Sequence, residues 1–168
     1  MIFPALWQSL EASAVGQYIA SSAWAFPTLE TLHVISIVTV VGTVAVMDLR
    51  LLNAASNECA VTEMSEDTLR WTWAAFVLAM ITGGLLFVSK ATSYMVNPFF
   101  LWKMVLIACA GVNMAIFNFF TWRTVHKWDA GCAVPAPGKL AGALSLGFWI
   151  AVVFVARAIG FTLDKFAH

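Results

Sequence analysis

Charge is what this sequence most lacks. Only 11% of its 168 residues are Asp, Glu, Lys or Arg, less than half of the roughly 25% in an ordinary soluble domain, while 61% are apolar. That balance excludes a water-soluble domain. Nine basic residues cancel nine acidic ones, so there is no positive surplus for a nucleic acid and no negative surplus for a cationic partner. Nucleic-acid binding drops out. The three cysteines, Cys59, Cys109 and Cys132, are an odd number without a close pair, which excludes a disulfide framework and leaves reduced bystanders. Polar–apolar alternation over about ten residues, which a membrane β-barrel needs, is also missing: HVISIVTVVGTVAVM is apolar on every side. Neither an internal repeat nor a low-complexity tract is present.

What is there instead is a set of long apolar runs. At about 20 residues per span, the runs at residues 27–52, 71–91, 98–122 and 140–161 predict four membrane helices. Breaker chemistry separates them: a polar, acidic loop over 53–69, a tight turn TSYMVNP ending at Pro98, and a Pro/Gly linker KWDAGCAVPAPG. Loops this short imply antiparallel neighbours. The expected fold is thus an all-α integral membrane four-helix antiparallel bundle, residues 25–168 forming a single domain. Residues 1–24 lack a basic leader region, and Phe3, Leu6, Leu10, Ala14 and Tyr18 recur at helical spacing with Glu11, Ser13 and Gln17 opposite. A retained amphipathic helix at the membrane interface is expected there.

Orientation follows from the positive charges. Arg50, Arg70, Arg123, Lys127 and Lys139 flank the two loops on one side, against Lys90 and Lys165 on the other. The first side is then cytoplasmic, both termini are periplasmic, and the expected location is the bacterial inner membrane.

An ionisable side chain inside a span costs roughly 2.5 to 3.5 kcal/mol on insertion scales, which makes each one a candidate site residue. Glu30 and His33 lie near the outer start of the first span, Lys103 near that of the third, and Arg157 near the outer end of the fourth. At a rise of 1.5 Å per residue, all fall within about 10 Å of one membrane face, where Lys90 ends the second span. One imidazole among three cations suits haem b: the iron takes a neutral imidazole nitrogen, and the propionates seek Arg or Lys near the surface. Gly83 and Gly84, with Gly42, would let a flat macrocycle approach the backbone. Against this stand plainer readings: Lys103 and Arg157 snorkelling to the interface, and glycines serving only helix packing.

A second axial histidine is not to hand, because His126 and His168 lie far along the chain from the His33 layer. The sixth position is left open, or falls to Met104, to Lys103 or to a neighbouring protomer. A second polar set, Asp48, Arg50, Arg70, Arg123, Asn113 and Asn118, gathers toward the inner face. Arg50 and Arg123 read as positive-inside anchors, and Asp48 is expected to pair with Arg50, Arg70 or Arg123. Trp71, Trp73, Trp122 and Trp128 are expected in an inner aromatic belt, with Trp24, Tyr94 and Trp102 in an outer one.

The combination of E-x-x-H opening the first span (Glu30, His33), D-L-R-L-L closing it (Asp48 to Leu52), N-P-x-F-x-x-K opening the third (Asn97 to Lys103) and Arg157 in the fourth resembles an uncharacterised bacterial family of four-helix inner-membrane proteins over roughly residues 22–162. More remotely it is similar to the copper-resistance CopD domain and to HemJ-type protoporphyrinogen oxidases. The resemblance implies a His-ligated haem, with His33 the matching histidine and Lys103 the matching lysine. HemJ's flanking motifs are absent here, so porphyrinogen oxidation is not carried over.

Three functions compete. The first is a membrane cytochrome b subunit, an oxidoreductase component passing electrons between a periplasmic redox partner and the quinone pool. A quinone notch is conceivable at Glu30 with His33 or at Asp48 with Asn113. The second is a CopD-type module for copper or another small cation, opposed by the fixed cations of the outer layer and by the lack of any Met-x-x-Met or Cys-x-x-Cys ladder. The third is a non-catalytic subunit or assembly factor, its apolar outer faces suited to a homo-oligomer or a larger membrane complex.

Overall fold

The computed structural model describes residues 4–54, 60–129, 133–163 and 165. Phe3, Cys59, Cys132 and His168 lie outside them. Every regular element among the described residues is helical: α1 (Pro4–Glu11), α2 (Ala14–Ser21), α3 (Ala25–Leu51), α4 (Val61–Ser89), α5 (Ala91–Val96), α6 (Pro98–Ile116) and α7 (Ala136–Thr162). Helix α6 continues through a π turn at Phe117–Thr121 and a 3-10 turn at Trp122–Lys127. Four segments, Ala25–Leu51, Val61–Ser89, Pro98–His126 and Ala136–Thr162, are long and apolar enough to cross a membrane. The chain is an all-α, multi-pass membrane protein, as its apolar runs predict.

Several boundaries differ from expectation, each for an identifiable reason. The acidic stretch before Trp71 is not loop, since α4 already begins at Val61. Its first turn is capped from far along the chain: the Asp129 carboxylate accepts the Thr62 backbone N–H at 2.9 Å and the Thr62 hydroxyl at 2.6 Å, and the Asp129 carbonyl accepts the Val61 N–H at 3.2 Å. Glu63 in that turn suits the positive end of the helix. The expected tight turn before Pro98 is the short helix α5. Asn97, fully buried, ends it and starts the next: its Oδ1 accepts the Phe99 N–H at 2.9 Å, with Pro98 in the first helical position where a missing N–H is harmless. The expected single N-terminal helix is two, because Ser13 caps α2 by accepting the Gly16 N–H at 3.2 Å.

The chain divides into two compact units, Met1–Val38 with Ala75–Met104 and Phe154–His168, and Thr39–Ala74 with Val105–Val153. In the first, a Cβ on Gly16 would lie 2.8 Å from the Glu11 carbonyl oxygen and 3.1 Å from that of Val88. Only glycine lets α2 pass this close to α4. Glu11 accepts the Thr92 N–H at 3.1 Å, and Trp7, Phe87, Tyr94 and Phe100 pack ring against ring with centroids 5.3 to 6.1 Å apart. The N-terminal helices are thereby tied to the ends of α4 and α6 by aromatic packing. Tyr94, expected in an outer belt, belongs to this cluster, whereas Trp24 (83% exposed) and Trp102 do face outward.

In the second unit, Leu51, Val61, Val125, Trp128 and Val134 form a buried cluster with Met47, Phe117 and Trp122 packed on it. Trp128 is thus a core residue, not a belt residue, with its indole N–H donating to the Thr124 hydroxyl at 3.3 Å. Arg50, 1% exposed, is likewise no surface anchor: its Nη2 donates to the Asp129 carbonyl at 3.1 Å. Helices α3 and α4 are also joined there by a 2.7 Å hydrogen bond from the Thr72 to the Thr43 hydroxyl.

Candidate functional site

The outer-layer residues singled out from sequence, His33, Glu30, Lys90, Lys103, Met104, Arg157, Gly83 and Gly84, all belong to the first unit. His33 comes from α3 and is half-buried. Its imidazole lies on Gly83 of α4, where a Cβ would stand 2.8 Å from Cε1, 3.3 Å from Nδ1 and 3.7 Å from Nε2. Nδ1 is 3.0 Å from the Thr82 hydroxyl oxygen. Thr82 is buried and donates to the Leu78 carbonyl at 2.7 Å, with the Ala79 carbonyl at 3.3 Å. Lys103, half-buried on α6, is near enough for its charge to act on His33.

The remaining members have contacts of their own. The Lys90 ammonium stands 5.4 Å above the Phe26 ring, and the exposed Arg157 lays its guanidinium 4.3 Å over Phe161 one turn on. Both are cation–π placements. Glu30 is exposed and acts on Tyr94: burial first, then the Glu30 carboxylate, push the Tyr94 phenol above its ordinary value. Met104 is 49% exposed and so lies on the outward surface of the unit. Gly84 and Gly42 have nothing within 4 Å of an added Cβ. Of the three glycines expected beneath a macrocycle, Gly83 has the His33 imidazole against it.

An open polar cleft of about 600 Å³ in the same unit is lined by Gln8, Glu11, Gln17, Ser89, Thr92 and Ser93 among others. It has no basic side chain in its lining, so the cations that suit an anionic ligand are not there. Sequence reasoning missed Thr82 and Ser89. Both hydroxyls bond back to a carbonyl of their own helix, a pattern that carries no site signature.

The second polar set lies in the other unit. Asp48, 5% exposed, meets the Ser145 side chain, and its Oδ2 is buried with no hydrogen-bond partner. Asn113 donates from Nδ2 to the Ala141 carbonyl at 3.0 Å. Helix α7 comes close here, since a Cβ on Gly142 would lie 3.1 Å from the Asp48 carbonyl oxygen. Arg70 and Arg123 are exposed, and His126 also belongs to this unit. Cys109 is a half-buried free thiol. Among the described residues no three His, Cys, Asp or Glu side chains cluster to hold a metal ion.

A family model described as a family of unknown function, DUF6644, matches residues 7–162. The chain belongs to this family. The match takes in the second half of α1, all of α2 and all four spans, and the family carries no activity to transfer. No curated protein and no solved structure matches the chain.

Proposed function

We propose that this protein is a small membrane-embedded b-type haem protein, an electron-transfer subunit that links a periplasmic redox partner to the quinone pool of the bacterial inner membrane. The observation that supports it is the company His33 keeps. In one compact unit a half-buried imidazole, held on one edge by Gly83 and Thr82, lies within the field of Lys103, with Lys90 and Arg157 in the same unit. The donor set fits haem b: a held imidazole is the ordinary iron ligand, and guanidinium and ammonium groups pair with carboxylates. His33 would hold the iron, and Arg157, Lys90 and Lys103 the propionates. Haem bound there supplies one-electron transfer, and the chain orients the imidazole and keeps water from the buried side of the ring.

The bias of Arg and Lys toward the loops after the first and third spans supports periplasmic termini. An absorption spectrum of the detergent-purified protein, oxidised and dithionite-reduced, tests it. The expected result is a Soret band with reduced α and β bands, all lost in His33→Ala. A featureless spectrum after haem-replete expression sinks the proposal.

A further inference from the structure

We infer that Thr82 is the positioning residue that fixes the ring proton of His33 on Nδ1 and so presents Nε2 as the metal-binding nitrogen; the purpose of this arrangement rests on the haem reading, its geometry does not. A neutral imidazole has one N–H and one lone pair, and its neighbours decide which nitrogen carries which. Thr82 Oγ1 is 3.0 Å from Nδ1. The hydroxyl has a single hydrogen, and two carbonyl oxygens compete for it, Leu78 at 2.7 Å and Ala79 at 3.3 Å. A carbonyl can only accept. With its hydrogen on Leu78, the hydroxyl offers a lone pair to Nδ1, and the ring must supply the proton between them.

The opposite assignment would turn the Thr82 hydrogen toward Nδ1 and give up the 2.7 Å bond, in a position only 2% exposed where no bulk water compensates. A ring turned by 180° would set a C–H against the Thr82 hydroxyl and lose the bond altogether. Gly83 closes the near side of the ring along Nδ1 and Cε1, leaving Nε2 the more distant nitrogen at 3.7 Å from the added Cβ. An acceptor behind the non-ligating nitrogen is the arrangement that orients a metal-binding histidine and makes it a stronger donor.

The test is nitrogen NMR of the purified full-length protein in detergent micelles, without haem, with ¹⁵N-histidine labelling and His126→Gln and His168→Gln used to assign His33. The expected result is the Nδ1–H form in the wild type, lost in Thr82→Val and regained in Thr82→Ser. Titration of ferric protoporphyrin IX then reads the consequence: affinity about 10- to 100-fold weaker in Thr82→Val and restored in Thr82→Ser, with a higher midpoint potential in the valine variant. An Nε2–H form in the wild type, or a Thr82→Val spectrum indistinguishable from it, overturns the inference. A wild-type protein in the Nδ1–H form that takes up no porphyrin overturns the haem reading alone.

Discussion

Adding one methyl group at Gly83 separates packing from site geometry, because its neighbour Gly84 provides the matched control. A Cβ at Gly83 would stand 2.8 Å from His33 Cε1, whereas carbon atoms in contact settle at about 3.5 to 4.0 Å. The ring must therefore retreat by about 0.7 Å or more, the difference between 2.8 Å and an ordinary contact. Its bond to Thr82, now 3.0 Å, then stretches to at most about 3.7 Å, the limit for a retreat straight away from Thr82 and beyond hydrogen-bond range. Losing that bond costs about 0.5 to 1.5 kcal/mol and overpacking about 1 to 3 kcal/mol, against a gain of about 1 kcal/mol from replacing a helical glycine by alanine. Gly83→Ala should thus be destabilised by about 0.5 to 3.5 kcal/mol from the sum of these terms. Gly84→Ala, with nothing within 4 Å, should be unchanged or about 1 kcal/mol more stable. Denaturation in mixed micelles followed by circular dichroism measures both, and histidine NMR reads whether His33 has moved. Equal stability of the two variants, with the His33 signal in place in both, would refute the packing of the imidazole on Gly83.

Asp129 should make the first turn of α4 sensitive to acid. Hydrogen bonds from the Thr62 hydroxyl and backbone N–H, ahead of smaller effects, hold its carboxyl below the ordinary value of 3.8, so its contribution is complete above that pH and is lost as pH falls through the lower folded value. The protection factor of the Thr62 amide, its exchange rate corrected for the intrinsic pH dependence, should be steady under mildly acidic conditions and fall below about pH 4; Asp129→Asn should abolish the fall, and a fall that persists in this variant would exclude Asp129 as its source. Asn97→Ala removes a buried amide that donates to Thr162 at 3.1 Å and accepts from Phe99, and should cost about 1 to 3 kcal/mol in the same micelle unfolding assay. Asp48→Asn leaves Oδ2 with no hydrogen bond to lose and should stay within about 0.5 kcal/mol of wild type or gain stability; a loss above about 2 kcal/mol would mean that the carboxylate charge is needed.

The spans were legible because hydrocarbon admits only segments that satisfy their own backbone, and apolar runs of this length have one reading. Their ends were less so. Helix α4 starts ten residues before the apolar run at Trp71, because a helix leaving the membrane keeps its hydrogen bonds while its side chains turn polar. Its cap, Asp129, is contributed from beyond α6, out of reach of any local capping pattern. Trp128 and Arg50 misled for a related reason. A tryptophan or an arginine near a span end usually marks the interface, but here each is enclosed by the second unit, one in the Val61 and Val125 cluster and the other on the Asp129 carbonyl.

At the site the asymmetry is sharper. His33, Lys103 and Arg157 announce themselves in sequence because an ionisable group in a span is costly enough to need a reason. The groups that give His33 its orientation carry no such cost. Gly83 reads as an ordinary small residue of helix packing, and Thr82 as a hydroxyl bonded to its own helix, which it is. Only the position of α3 against α4 brings that hydroxyl to 3.0 Å from Nδ1, where the local bond can constrain the imidazole as inferred above. A histidine in a span is thus a candidate from sequence alone, while its orientation is decided by neighbours whose types are unremarkable and whose placement is everything. The same reasoning separates the two polar sets. His33 has a hydroxyl partner on Nδ1, whereas Asp48 has Ser145 beside it and an oxygen with no hydrogen-bond partner.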